Sequence, residues 1–179
     1  QHLERVSEVC RIIAQELRRT PPLDSYITDE YVEDIVLSSV LHDIGKVGIP
    51  DMILLKTDAL TPEEFETMKI HTSVGGDALT AIEKRMEGRS FFTLGKQIAY
   101  SHHERWDGTG YPRGLSGENI PLSARIVAVA DAYDAITSDR IYRAGMSHDE
   151  AMRRIVQNRG TQFDPRIVDA LIACESQLR

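Results

Sequence analysis

The chain has 179 residues, of which 27% are charged and 41% are hydrophobic, and its formal net charge at pH 7 is −7. This length and composition fit one globular domain and exclude a collagen-like or intrinsically disordered chain. No run of about 18 apolar residues is present to span a membrane. The negative charge argues against a nucleic-acid polymer as partner. Two cysteines, Cys10 and Cys174, exclude a disulfide framework and indicate a reducing compartment, so we expect a cytoplasmic protein.

Apolar residues recur at helical spacing along almost the whole chain. Val32, Val36 and Val40 form such a stripe and predict a central helix over residues 29–44. The same pattern predicts helices over 3–17, 61–86, 91–103, 121–138 and 147–160, and from 164 onward. Gly75-Gly76 is a candidate break in the helix over 61–86. No alternating strand pattern, internal repeat or linker is found. The sequence therefore predicts a single all-α bundle of about eight helices.

Residues 104–120 form the one long segment without an apolar period. Glycines and prolines punctuate it, among them Gly108, Gly110, Pro112 and Gly114. A loop of this length is unusual in a compact domain and is typically functional. We therefore expect the loop to contribute to a functional site.

Asp131 interrupts the most apolar predicted helix, between Ala130 and Ala132. A buried carboxylate is costly unless it is hydrogen-bonded, paired or bound to a metal. A structural hydrogen-bonding aspartate is the simpler alternative. The pairs His42-Asp43 and His102-His103 favour a metal site over this alternative. Each pair lies where a predicted helix meets a glycine-rich segment, so ligands from different helices can converge.

Seven side chains are candidate metal ligands. They are His2, His42, Asp43, His71, His102, His103 and Asp131. One ion with four to six ligands cannot use all of them and keep a position for water, so their convergence would imply at least two ions. Imidazole with carboxylate suits iron, manganese, zinc or nickel. Two such ions about 3.5–4 Å apart are a common device for cleaving phosphoesters.

Two stretches carry a family resemblance. Residues 42–50 read HDIGKVGIP and residues 102–112 read HHERWDGTGYP, followed by DAYDA at 131–135 and GTQFDP at 160–165. These segments, in this order, resemble the HD-GYP subfamily of the HD superfamily of metal-dependent phosphohydrolases, which are bacterial cyclic di-GMP phosphodiesterases. The resemblance covers nearly the whole chain and implies an HD-type helical bundle with a long GYP loop.

The resemblance implies that all seven candidates bind two divalent ions, iron or manganese, and a third ion is left open. It implies hydrolysis of cyclic di-GMP to pGpG, with further hydrolysis to GMP left open, by attack of a hydroxide that bridges the ions. Asp43 and Lys46 are the expected catalytic residues. The expected substrate contacts are Lys46, Gly110, Tyr111, Pro112, Asp134, Arg140 and Arg143. For Asp134, three residues after Asp131, a supporting role behind a metal ligand is the alternative.

We expect residues 1–179 to form one catalytic domain, excised from a longer chain with an N-terminal sensory or receiver domain. The resemblance also raises GGDEF-type cyclase domains and a homodimer as partners. Two alternatives stay open: a hydrolase of another cyclic dinucleotide such as cyclic GMP-AMP, and a sensing or interaction module that binds the dinucleotide without cleaving it.

Overall fold

The computed structural model describes residues 1–85, 90–139 and 144–178. These ranges contain eight α-helices and no β-strand, which confirms the all-α prediction. The helices are α1 (His2–Leu17), α2 (Asp29–Ser39), α3 (Asp51–Leu54), α4 (Pro62–Glu83), α5 (Ser90–Ser101), α6 (Leu122–Thr137), α7 (His148–Gln157) and α8 (Pro165–Ala173). None of the helices in the described ranges is long and apolar enough to cross a membrane.

Helix α6 lies at the centre of the bundle. It packs against α1, α5, α7 and α8. Ile126, Val127, Val129 and Ala130 are completely buried on it. Burying a Val or Ile side chain fully contributes about 1.5–3 kcal/mol, so this helix is firmly held. The next residue along it is Asp131, which therefore occupies a fixed position.

The helix predicted over 29–44 ends earlier, at Ser39, and residues 40–43 form turns that lead into a 3-10 helix at Ile44–Gly48. The reason is a close contact with α4. A Cβ atom at Gly45 would lie 1.9 Å from the carbonyl oxygen of His71 and 2.4 Å from the backbone nitrogen of Gly75. Only glycine allows this approach, and it brings the His42-Asp43 turn against α4.

Helix α4 continues through Gly75-Gly76, so the expected break is wrong. Gly75 does not end the helix; because it has no side chain, Gly45 can pack against it. Helix α5 ends at Ser101, so His102 and His103 follow the helix instead of belonging to it. Helix α7 ends at Gln157 and not at residue 160.

Candidate metal centre

Four of the candidate ligands converge in a first group, which contains Asp43, His71, His102 and His103. One ligand atom from each lies within 4.8 Å of the others. The Asp43 Oδ1 atom is 3.5 Å from His71 Nε2 and 3.8 Å from His102 Nε2. These residues come from the turn after α2, from α4 and from the end of α5, so three separate segments build the group.

A second group contains His2, His42 and Asp131, again with ligand atoms within 4.8 Å of one another. Asp131 Oδ1 lies 3.7 Å from His2 Nε2 and 3.9 Å from His42 Nε2. Asp43 joins the two groups, because its Oδ2 atom is 3.3 Å from His42 Nε2 while its Oδ1 atom faces the first group. The structure thus brings all seven candidates into two adjoining groups, with Asp43 between them.

The orientation of three histidines is fixed by the main chain. His42 Nδ1 lies 2.8 Å from the Ser39 carbonyl oxygen. His71 Nδ1 lies 2.7 Å from the carbonyl oxygen of Met68, and His102 Nδ1 lies 2.9 Å from that of Ile98. A carbonyl oxygen can only accept, so each Nδ1 carries a proton, and in the neutral ring the Nε2 atom has a free lone pair.

These lone pairs are buried without a hydrogen-bond partner. The unpartnered atoms are His42 Nε2, His71 Nε2, His102 Nε2 and Asp43 Oδ1. Leaving one such polar group buried and unsatisfied costs about 1–3 kcal/mol, and here four of them face each other. Bound divalent cations would satisfy all four atoms, so the residues present fit a metal centre.

The electrostatics of the first ligand group favour the protonation states that ligands need. Burial lowers the pKa of His71, and burial together with the charge of neighbouring His103 lowers that of His102 well below its usual value. Burial and the charge of His71 lower the pKa of His103 to about 4. Burial opposes ionisation of Asp43, but its contacts with His42 and Lys46 outweigh this and lower its pKa. Burial lowers the pKa of His42 too, but its contacts with Asp43 outweigh this and raise it. The neutral imidazoles of His71, His102 and His103 therefore face an ionised carboxylate.

Asp134 contacts His2 and Arg5 in the structure. Its Oδ2 atom accepts a hydrogen bond from His2 Nδ1 at 2.6 Å, and its Oδ1 atom accepts from Arg5 and, at 3.1 Å, from the hydroxyl of Ser138. Burial raises its pKa, but the contacts with Arg5 and His2 more than offset this, and the net pKa is lowered. Both oxygens of this buried carboxylate accept hydrogen bonds, so Asp134 orients His2, and its expected contact with substrate stays a prediction.

Two cavities meet at the metal centre, and His103 and Asp131 line both of them. The first, which we call the Lys46 cavity, has a volume of about 470 Å³ and is also lined by Asp43 and Lys46. Lys46 Nζ is 2.5 Å from Asp43 Oδ2. The second, the Tyr111 cavity, has a volume of about 460 Å³ on the side of the GYP loop. The centre is therefore open on two sides.

The GYP residues stand beside the first ligand group. The ring of Tyr111 stacks on that of His103 with centroids 4.8 Å apart, and its backbone N–H donates to the His103 carbonyl oxygen. A Cβ atom at Gly110 would lie 2.4 Å from the Arg105 backbone nitrogen and 2.6 Å from the His103 carbonyl oxygen. Gly110 is thus required for close packing, and Pro112 is exposed. Arg140 and Arg143, also expected to contact substrate, lie outside the described residues.

A family model described as "HD domain" matches residues 1–167. The chain belongs to the HD domain family. A cyclic di-GMP phosphodiesterase of Vibrio cholerae is 46% identical to this HD domain over 98% of the chain and 36% of the relative. The cyclic di-GMP phosphodiesterase response regulator RpfG of Xanthomonas campestris is 44% identical over 98% of the chain and 43% of its own length. The chain thus spans less than half of these relatives.

A solved structure shares the fold of this HD domain. It is Bd1817, an HDG"Y"P protein from Bdellovibrio bacteriovorus, with a TM-score of 0.66 at 22% identity. The match covers 98% of this chain and 51% of that one. The predicted HD-type helical bundle is confirmed.

Sequence analysis missed two residues that support the HD domain's centre. Glu104 is 3% exposed and accepts hydrogen bonds from the backbone N–H groups of Arg113 at 2.8 Å and Leu115 at 3.0 Å. It fixes the GYP loop directly after His103. Arg5, one turn after His2 on α1, holds Asp134. The sequence signal for Glu104 is its position directly after the paired histidines. The signal for Arg5 is its spacing of one helical turn from His2.

Proposed function

We propose that this HD domain is a metal-dependent phosphodiesterase that hydrolyses cyclic di-GMP to pGpG and that residues 1–179 form its catalytic domain. The proposal rests on the two ligand groups, which lie on either side of Asp43. Two cavities open onto them. Relatives that are 46% and 44% identical bear the name cyclic di-GMP phosphodiesterase, which supports this substrate.

Divalent ions bound there would lower the pKa of a water and offset charge on the phosphate oxygens. Asp43 would hold both ions, since its two oxygens face different ligand groups. Lys46 places a cation beside Asp43 at the wall of the cavity, where it can pair with a phosphate oxygen. Tyr111 packs against His103 and limits the space on the other side.

We propose iron or manganese as the ions, since the donors are imidazole nitrogens and carboxylate oxygens. The proposal also includes a bacterial cytoplasmic setting and a sensory or receiver domain in the full-length chain. Anaerobic purification followed by elemental analysis would identify the ions and their number. Zinc in the protein with activity only in its presence would contradict iron and manganese.

The function is tested by assaying the metal-loaded protein with cyclic di-GMP, cyclic GMP-AMP and cyclic di-AMP. We expect pGpG from the first substrate at the highest rate. Faster turnover of a substrate that contains adenine would overturn the guanine assignment. Tight binding of cyclic di-GMP without product, with any metal, would instead show a sensing module.

The ligand assignment is tested by Asp43→Ala. This variant removes the carboxylate that both groups share, so we expect loss of bound metal and of hydrolysis while the far-ultraviolet circular dichroism stays helical. Asp58→Ala is the matched control, because Asp58 is exposed and belongs to neither ligand group. Metal content at the wild-type level in Asp43→Ala would disprove the assignment.

A further inference from the structure

The Tyr111 cavity contains a cation and an exposed aromatic ring that the proposed mechanism does not use. Both come from α4, where Phe65 and Lys69 lie one turn apart and line the cavity. The cavity also reaches His103 and Asp131, so it is continuous with the metal centre. Its occupant would therefore touch the bound substrate or be part of it.

Lys69 is positioned toward this cavity by two aromatic rings. Its Nζ atom lies 5.1 Å from the ring centroid of Phe65 and 5.5 Å from that of Tyr111. Its carboxylate partner is Glu66, at 2.6 Å, whose side chain is 70% exposed. Such a surface pair at i,i+3 contributes little, so Lys69 can exchange it for an anionic ligand at low cost.

Arg105 also lines the cavity, but its guanidinium is committed to the loop. It donates to the hydroxyl of Thr109 at 2.9 Å and to the carboxylate of Asp107 at 3.2 Å. Lys69 is thus the more available of these two cations. Phe65 is 44% exposed and meets Tyr111 edge to face at 6.0 Å. An exposed ring at a cavity wall is a stacking surface for a base.

Resting on the proposed function, we propose that the Tyr111 cavity is the subsite for the second nucleotide unit of a cyclic dinucleotide, with Lys69 pairing with the phosphate that is not cleaved and Phe65 stacking on the base. A cyclic dinucleotide carries two phosphates and two bases. When one phosphate lies at the metal centre, the other half must extend to one side. The Tyr111 side offers the cation and aromatic surface that this half requires.

The test compares two substrates in Lys69→Gln, namely cyclic di-GMP and bis(4-nitrophenyl) phosphate, which has a single phosphate. We expect the KM for cyclic di-GMP to rise about tenfold or more, as for a lost charge-assisted contact. The loss in kcat/KM for cyclic di-GMP should exceed that for bis(4-nitrophenyl) phosphate by at least the same factor. Metal content, measured by elemental analysis, should match that of the wild type.

Lys96→Gln is the matched control. The side chains of Lys96 and Lys69 are 29% and 26% exposed, and each pairs with one glutamate. Lys96, however, lines neither cavity of the centre. We expect wild-type kinetics from Lys96→Gln.

The base contact is tested by two variants of Phe65. Phe65→Leu should raise the KM for cyclic di-GMP about fivefold or more, whereas Phe65→Tyr keeps an aromatic face and should have a KM near that of the wild type.

A KM for cyclic di-GMP within twofold of wild type in Lys69→Gln would overturn the subsite and leave the proposed function intact. Equal losses with both substrates would also overturn it, because they would indicate a general disturbance of the centre. A wild-type protein that cleaves bis(4-nitrophenyl) phosphate but no cyclic dinucleotide would contradict the proposed substrate and, with it, the subsite.

Discussion

Replacing Glu104 by glutamine tests whether this buried carboxylate holds the GYP loop. Both of its oxygens accept from backbone N–H groups, those of Arg113 and Leu115. An amide keeps one acceptor and turns its NH₂ group toward the other N–H. One buried donor then loses its partner at a cost of about 1–3 kcal/mol, and the remaining bond changes from a charged to a neutral acceptor at about 1 kcal/mol. Glu104→Gln should therefore lower the free energy of unfolding by about 2–4 kcal/mol.

The free energy of unfolding is measured by urea denaturation with saturating Mn²⁺, and Mn²⁺ affinity is measured by isothermal titration calorimetry. We expect weaker Mn²⁺ binding as well, because Glu104 directly follows the candidate ligand His103. Glu118→Gln is the matched control, since Glu118 lies in the same loop, is 73% exposed and pairs with Arg166 at 2.9 Å. Its effect should stay within about 0.5 kcal/mol. Equal stabilities of the two variants would refute the anchoring role of Glu104.

Two further predictions concern packing and metal binding. Gly45→Ala should destabilise the protein by about 2 kcal/mol or more in urea denaturation, because its Cβ would meet backbone atoms of α4. In Gly48→Ala the nearest atom is a side-chain carbon of Val74 at 3.0 Å, so the loss should be under about 1 kcal/mol; similar losses would contradict the packing argument. Asp134→Asn should weaken binding of one of two Mn²⁺ ions about 10–100-fold in calorimetric titrations, because His2 loses its carboxylate partner. Unchanged affinities for both ions would disprove this role.

Helical periodicity predicted the fold class and most helices, since a buried apolar stripe is a local property of the sequence. It did not predict that α2 ends at Ser39. That boundary depends on the contact between Gly45 and Gly75, two residues from separate elements. For the same reason the glycines of α4 look like a helix break in sequence, whereas in the structure they allow a neighbouring segment to approach.

The sequence also supplied the seven candidate ligands, but not their division into two groups. That division depends on which atoms face each other, and Asp43 faces both groups. For Asp134 the sequence left open a supporting role beside the ligands and a contact with substrate, because its hydrogen-bond partners were not visible. Arg5 occupies it from another helix. Hydrogen bonds between distant side chains are set by tertiary packing, which a single sequence does not display.

The histidines of the centre differ in what keeps them in place. His42, His71 and His102 each bond to a main-chain carbonyl oxygen, which every residue type provides. His2 depends on the side chain of Asp134. A substitution at a position that supplies one of those carbonyl oxygens keeps the hydrogen bond to the histidine. A single substitution at Asp134 removes the hydrogen bond that orients His2. Mutational drift would therefore displace His2, on the α1 side of the centre, before the three histidines that bond to the main chain.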